Sequence, residues 1–560
     1  MRFVAILTLV FLSGGCTAKS GNPQQTTHQQ LESAPWFRIL TPESGFGFNH
    51  SIGDERRYWI PETVAGGVAL FDYDNDGDLD IYCVQSAGIL AGDRNGTIGN
   101  RLFRNEGDLH FSDVTEQAGV GDSSYGMGAC CCDYDRDGDV DLFVSNVGPD
   151  VLYRNRGDGT FENNTVEANL GAPGLAASAA FVDLDGDRFP ELFVSHYVLW
   201  SPEKELKCGT GIGQDYCSPN NYRAPAPDQL YRNRADGSFE NISEQAGIRT
   251  SYGNGLGVIS ADLDQDGKPD LYVANDGSPN QWWRNLGNLR FEELAVTSGC
   301  AVNMNGISEA GMGIHATDVD EDGDLDLFMT HIRNETNTWY RNDGGFFTDA
   351  TLLTGLAATS RDATGFGIGY QDFDHDGILD LYVANGKVLR VRDSQDGSDP
   401  YAEPDHLFVG LGGPRFREVK PQGGLQAADG SAISFTGRGV AFGDLDDDGD
   451  RDLVVINSNG PALVLINEVE KKGDSVTLTL VDVDGIFAEG ADLKIHIGDR
   501  LLHRRATRYY SYCASNDPRV HIGMGPAGQV DKVVIRWPDG SSSEHGPFLA
   551  GSQERIQQPN

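Results

Sequence analysis

The sequence predicts an all-β chain: a seven-bladed β-propeller over residues 36–470, followed by a small β-module over residues 475–548. Three observations carry the prediction. One acidic nine-residue pattern recurs seven times, every copy sits between two short apolar runs, and the copies start 50 to 79 residues apart. That spacing suits four short strands and their loops. At 560 residues the chain is also well beyond the range of about 250 to 300 in which one core stops growing, which calls for several domains or a repeat.

The pattern is Asp-x-Asp-x-Asp-Gly-x-x-Asp. Its copies supply Asp72, Asp74, Asp76 and Asp80; Asp133, Asp135, Asp137 and Asp141; Asp183, Asp185, Asp187 and Glu191; and Asp262, Asp264, Asp266 and Asp270. The last three supply Asp318, Asp320, Asp322 and Asp326; Asp372, Asp374, Asp376 and Asp380; and Asp444, Asp446, Asp448 and Asp452. A glycine-rich apolar run such as Gly126-Met127-Gly128-Ala129 precedes each loop, and a β-prone run such as Leu271-Tyr272-Val273-Ala274 follows it. A second element, Leu102-Phe103-Arg104-Asn105 in the first repeat, leads through a turn into Phe111-Ser112-Asp113-Val114-Thr115 and predicts the third and fourth strands. The seventh repeat lacks this fourth strand, while Phe37-Arg38-Ile39-Leu40-Thr41 stands with no blade before it. Residues 36–49 are therefore expected to complete the last blade and close the ring.

The loop chemistry points to calcium. A hard cation wanting six to eight oxygens is served by alternate carboxylates on a curled loop, with glycine at the sixth position allowing the turn. In the first loop Asp72, Asp74 and Asp76 are the side-chain ligands, the Asp78 carbonyl a backbone ligand and Asp80 the closing carboxylate. An EF-hand would need a glutamate at the twelfth position, where this chain has Cys83, Val144, Val194, Val273, Met329, Val383 and Val455. The third loop departs from the pattern with Arg188 in place of glycine and Glu191 in place of the closing aspartate. Six or seven calcium ions are expected.

Acidic residues number 84 against 43 basic ones, a formal net charge of −41 that opposes binding to nucleic acid or to anionic membranes. Residues 1–16 combine Arg2, an apolar stretch and small residues before Cys16, the layout of an export signal. They resemble a bacterial lipoprotein signal, with Ser13 where that pattern favours leucine. The resemblance implies lipidation of Cys16, a flexible tether over residues 17–35, and a chain anchored to the cell envelope, with free secretion as the alternative. Among the remaining cysteines, Cys208 and Cys217 are the leading candidates for a disulfide, flanking the glycine-rich stretch Gly209 to Tyr216.

The seven loops and their strand frames resemble FG-GAP/VCBS repeats, the units of the integrin α-subunit propeller. The resemblance implies calcium at the positions named above. Gly490 to Ile495, Ser515 to Gly525 and Val534-Ile535-Arg536-Trp537-Pro538-Asp539-Gly540 resemble the ASPIC/UnbV domain of cartilage acidic proteins and their bacterial relatives. That implies a module packed beside the propeller, and no reaction.

No zinc-protease helix, nucleophile elbow or phosphate-binding loop is present. His196, His315, His331 and His375 read as packing or surface residues. His503 and His521, with Arg504, Arg505, Arg508 and Arg519, offer a contact for an anion, with a structural role the leading reading. Two functions follow. The first is a monomeric calcium-stabilised scaffold that binds a surface protein or glycan and touches the membrane only through its lipid. The second is a carbohydrate-active lyase or hydrolase with its site in the propeller channel.

Overall fold

The structure is a computed structural model that describes residues 34–53, 56–87, 98–391, 398–427 and 429–560. The proposed signal, Cys16 and most of the tether lie outside the described residues. Seven blades, each of four antiparallel strands, surround an axis, with blades 2 and 3 joined into one eight-stranded sheet where Pro173, Gly174 and Leu175 pair with Pro149, Gly148 and Val147. Blade 1 runs Val68–Phe71, Asp80–Cys83, Arg101–Asn105 and Phe111–Asp113 from the axis outward, and the acidic loop joins its first two strands. The innermost strands of blades 2 to 7 are Tyr125–Cys132, Pro173–Val182, Gly255–Ala261, Ile314–Thr317, Gly365–Gln371 and Gly437–Gly443. Blade 7 borrows its outer strand from the N-terminal side: Phe37, Arg38 and Ile39 pair with Asn467, Ile466 and Leu465. Phe37 is buried edge-on against Phe373, with ring centroids 5.3 Å apart, so closure also joins blade 7 to blade 6.

The glycine runs are explained by crowding at the axis. A Cβ on Gly313 would lie 2.1 Å from the Phe366 carbonyl of the next blade, and one on Gly439 would lie 2.4 Å from the Gly66 carbonyl. Only a hydrogen fits where neighbouring inner strands approach this closely. A second repeated contact works farther out. Asn105 Nδ2 donates to the Leu445 carbonyl of blade 7, Asn155 to Tyr73 of blade 1 and Asn342 to Leu263 of blade 4, so the asparagine of the third strand latches a blade to its predecessor in every blade but the sixth, which has Gly410 there.

The C-terminal module has its own core, centred on Leu478, Ile495, Val533 and Trp537. Its last strand, Gln553–Gln557, pairs in parallel with Ser475–Val481, so the module runs beyond residue 548. It does not simply pack beside the propeller. It covers the face that carries the acidic loops and sends residues 508–517 up the central channel and back. Ser511 exchanges backbone hydrogen bonds with Ile314 of blade 5, and its Oγ accepts the Ile368 amide of blade 6. Tyr512 reaches the Val64 carbonyl near the far end, and Cys513 donates its amide to Ser178 of blade 3. The chain then descends: Ala514 and Ser515 pair in parallel with Val68 and Ala69 of blade 1, and Asn516 accepts the Phe442 amide of blade 7. Residues 508–517 thus occupy the channel in which the sequence reading put its alternative, enzymatic site.

Phe37→Ala would remove the aromatic anchor of ring closure, at a cost of about 3 to 5 kcal/mol. Thermal unfolding should show a clearly lowered Tm, whereas truncation of the exposed Val166 (81% accessible) should leave it unchanged.

Candidate metal centres

Each acidic loop is held in one conformation by its own backbone. The residue at the fourth position is left-handed, as at Asn75 (φ 60°), Gln265 (58°) and His375 (59°), and so is the glycine at the sixth, as at Gly77 (101°). In blade 3 Arg188 takes that left-handed place at φ 76°. The first aspartate accepts the amide of the sixth residue in every loop, from Gly77 to Asp72 at 3.0 Å through to Gly449 to Asp444 at 3.0 Å, and Arg188 donates to Asp183 at 2.8 Å in the same way. The missing glycine of the third loop is therefore absorbed without changing the turn.

The closing carboxylate is the deepest group. Asp80 is fully buried and accepts the Tyr73 amide at 3.0 Å and the Asn105 amide at 2.8 Å, joining the loop to the third strand. Asp141, Asp326, Asp380 and Asp452 repeat this pair of contacts. Asp270 also makes both and adds Trp282 Nε1 at 3.0 Å. Glu191 takes the Leu184 amide, and its other oxygen, Oε1, is buried without a partner.

These carboxylates converge. Asp72, Asp74 and Asp80 offer oxygens within 4.8 Å of one another, as do Asp133, Asp135 and Asp141; Asp183, Asp185 and Glu191; and Asp318, Asp320 and Asp326. In blade 4 the trio is Asp262, Asp264 and Asp266, with Asp270 turned toward Trp282. The fifth-position carboxylates stand farther out in the first loops, where Asp76 accepts the Asp78 amide and Asp137 the Asp139 amide. In blade 6 Asp372, Asp374, Asp376 and Asp380 share one loop, and in blade 7 so do Asp444, Asp446, Asp448 and Asp452. Every loop also holds a buried carboxylate oxygen with no hydrogen-bond partner: Asp74 Oδ1, Asp135 Oδ1, Glu191 Oε1, Asp262 Oδ1, Asp320 Oδ1, Asp372 Oδ1 and Asp444 Oδ1. A buried anionic oxygen without a donor is costly unless a cation meets it. The residues thus fit a hard divalent ion.

Electrostatics agree. Burial, with the neighbouring carboxylates adding to it, pushes Asp80 up to about 8, Asp318 and Asp372 to about 7, Asp326 to about 8 and Glu191 to about 9. Basic groups reach the same oxygens from outside. Arg284 of the third strand meets Asp264 at 2.6 Å, and Arg232 meets Asp185 at 3.2 Å. Blade 6 has Val409 at the equivalent position, and Lys472 from the linker to the module contacts Asp374 at 2.5 Å and Asp376 at 3.1 Å instead.

The module spreads its cations over the loop ring. Arg536 meets Asp262 at 2.9 Å, Arg500 meets Glu321 at 2.6 Å and Arg519 meets Asp447 at 3.0 Å, while Arg136 of the second loop meets Asp482 of the module at 2.6 Å. His521 lies 3.2 Å from His375, and Arg508 pairs with Glu489 and donates to the Cys131 carbonyl. His503 faces Gly323, while Arg505 pairs with Asp492 at 2.8 Å. Sequence reasoning named His503, His521, Arg504, Arg505, Arg508 and Arg519 but had no signal for partners across the propeller, such as Asp447 for Arg519 and His375 for His521. On the opposite face Cys208 and Cys217 are joined by a disulfide with Cα atoms 5.2 Å apart.

The fold and the site define a class: a propeller whose blades each carry an acidic, metal-competent loop on one face. The FG-GAP-like repeat matches at residues 72–144, 133–194, 215–273, 262–329 and 318–383, together more than half of the chain, and the ASPIC and UnbV domain matches at residues 484–560. The chain belongs to the FG-GAP-like repeat family and ends in an ASPIC and UnbV domain. Cartilage acidic protein 1 of Xenopus tropicalis is 25% identical over 340 residues, covering 58% of this chain and 48% of that protein. The Homo sapiens protein is 25% identical over 338 residues, covering 58% and 47%. The chain thus spans about half the length of the curated relatives it matches. Among solved structures, an Agrocybe aegerita lectin described as recognising non-reducing terminal N-acetylglucosamine aligns with a TM-score of 0.39 at 15% identity, covering 67% of this chain and 85% of its own. YCF48 bound to D1 peptide aligns at 0.40 and 10%, covering 79% and 100%.

The raised carboxylates set a pH signature. A group whose folded pKa lies above its unfolded value of about 4 stabilises the fold below that value and loses this contribution as pH rises through the folded pKa. Metal-free protein should therefore lose stability between about pH 5 and 9, the window spanned by these groups. A bound cation holds the charged forms, so the gap in Tm between calcium-loaded and metal-free protein should widen from pH 5.5 to 8.5. Parallel curves would contradict a role for the loops in binding a cation.

Proposed function

We propose that this chain is a calcium-stabilised extracytoplasmic scaffold that binds a surface protein or glycan through the propeller face opposite the acidic loops. When bound, calcium supplies the counter-charge for the loop carboxylates. Asp72, Asp74 and Asp80 and their equivalents would hold it, and the stiffened loops would seat the module.

The observation that carries this reading is the division of the two faces. The module covers the loop face and occupies the channel, which leaves the far face to present three long connections, described over residues 50–53 and 56–64, over 197–228, and over 386–391 and 398–405. These bring aromatic and arginine side chains together. Trp59 and Trp200 meet edge-on at 5.6 Å, Arg57 lies 4.8 Å over Trp59, Tyr58 meets Tyr216 at 5.4 Å and Arg56 lies 4.6 Å over Tyr401. Buried polar contacts fix the platform: Tyr216 donates to Glu62, and Trp200 and Tyr222 both donate to Glu205. Exposed Leu199 (52%) and Val391 (61%) flank it. Tryptophan, tyrosine and arginine on connecting loops are the residue types that dominate recognition surfaces. The repeats are of a kind typical of extracellular proteins, and no helix among the described residues is long and apolar enough to cross a membrane. Lipidation of Cys16 would hold the scaffold at the envelope.

The test is a screen of calcium-loaded protein against glycan and surface-protein arrays, followed by a Trp59→Ala and Trp200→Ala double variant. Affinity for the partner found should fall by about tenfold or more, measured well below a Tm that the loss of Trp200 from its core contacts and from Glu205 will also lower. A partner whose binding survives the double variant would place recognition elsewhere.

Metal removal is the second check. Chelation should lower Tm strongly, because an ion that binds only the folded state stabilises it by mass action. Asp320→Asn should remove about one equivalent from the calcium stoichiometry measured by titration calorimetry.

A further inference from the structure

We infer that the cavity at the loop-face mouth of the channel is a binding site for a small inorganic anion. The cavity, ≈ 70 Å³, lies between blades 5 to 7 and the two limbs of the channel segment, and its lining includes His315, Asp372, Arg451, Arg504, Tyr510 and Asp517. This is room for several waters or one small anion, too little for a sugar.

Arg504 is the central observation. Its hydrogen bond goes to the His503 backbone carbonyl at 2.8 Å, and it forms no ion pair with a carboxylate of the described residues. It is half-buried, and desolvation holds its pKa below the ordinary arginine value. A guanidinium in such surroundings calls for an anionic partner. Its closest electrostatic partners are Asp318 and Asp372, the first carboxylates of the fifth and sixth loops.

Two further donors line the same space. Arg451 pairs through Nη1 with Asp517 and donates through Nη2 to the Arg519 carbonyl, while its Nε is buried with no partner. His315 accepts the Tyr370 amide at Nδ1, 3.1 Å away, so the neutral ring carries its proton on Nε2, which has no acceptor among the described residues. Stacking on Tyr510, with centroids 4.1 Å apart, fixes that ring. Asp517 meets both Arg451 and Arg519, and Asp372 gives Oδ2 to the Gly377 amide and leaves Oδ1 as the oxygen a loop cation would take. With Asp372 Oδ1 committed to that cation, donors from three separate chain segments face one cavity with too few acceptors.

The charge argument rests on the calcium reading. With divalent ions in the fifth and sixth loops, Asp318 and Asp372 are neutralised and Arg504 is left without compensation. An anion in the cavity then restores the balance and ties the module to two metal-loaded blades.

Bromide is the probe. Crystals of calcium-loaded full-length protein soaked in bromide should show an anomalous peak between Arg504, Arg451 and His315, with calcium density in the fifth and sixth loops of the same maps. In solution, replacing gluconate by chloride at constant ionic strength should raise the Tm of wild-type protein by about 2 to 3 °C, and Arg504→Gln should abolish both the rise and the peak. Loops filled with calcium beside a cavity without bromide would overturn the anion site and spare the metal reading. Bromide beside loops without calcium would sustain the anion site and sink the metal reading. The wild-type halide response decides the question even if the variant folds poorly, since an unchanged Tm overturns the proposal by itself.

Discussion

The closing carboxylate of each loop is the constraint on which the rest of the molecule depends. Asp80 and its equivalents begin the second strand, accept an amide from the loop and, in all blades but the third, accept another from the third strand. They are therefore structural and metal-competent at once, and neither role can be removed without disturbing the other. Burial makes each ionised form expensive, and neighbouring loop carboxylates add to the cost. The blade accepts this because a cation can repay it, and because two backbone donors fix the geometry whatever the ion does. Glu191 shows the limit: one more methylene keeps the loop contact but leaves Oε1 without a donor.

A ring of such loops leaves one face of the propeller strongly acidic, and the module answers it. Arg500, Arg519 and Arg536 fall on different blades, and Lys472 stands in where the sixth blade has Val409 instead of a third-strand arginine. Exposed ion pairs of this kind contribute little individually. Their value is positional: spread over several blades, they orient the module so that residues 508–517 meet the channel.

Much of this was legible in the sequence because it repeats. Seven copies of one loop, the Leu-Tyr-Arg-Asn element and the unpaired strand at Phe37 are local signals, and each maps onto a strand or latch. Even Phe-x-Asp-Val-Thr has a local cause: Asp113 accepts from the Thr115 amide and hydroxyl, while Thr115 Oγ1 accepts the Leu102 amide. The channel segment was not legible. Arg508-Tyr509-Tyr510-Ser511-Tyr512-Cys513 has neither strand nor helix period, and its hydrogen-bond partners in the propeller lie 139 to 448 residues away. The division of the carboxylates was also hidden, since spacing alone cannot show that Trp282 draws Asp270 aside. The platform around Trp59 and Trp200 escaped for the same reason, being assembled from connections that share no repeat.

The two ends of the described chain act together on the ring. Phe37–Ile39 closes it at the rim, and residues 508–517 bind its inner strands at the axis, where Gly313 and Gly439 leave no space for side chains. A strand added at the rim constrains blades 6 and 7, whereas the axial segment touches strands from blades 1, 3, 5, 6 and 7 through Ser511, Cys513, Ala514 and Asn516. Because all of those contacts but the one from Cys513 to the Ser178 hydroxyl are to backbone amides and carbonyls, they require the blades to be already in register. The segment reads the assembled ring and not any single blade. A loop that loses its shape shifts the start of its own second strand, and through the asparagine latch it shifts the neighbouring blade. The convergence of the acidic loops on one face, the seating of the channel segment along the axis and the layout of the aromatic platform on the far face are thus three consequences of one geometry, transmitted through strands only a few residues long.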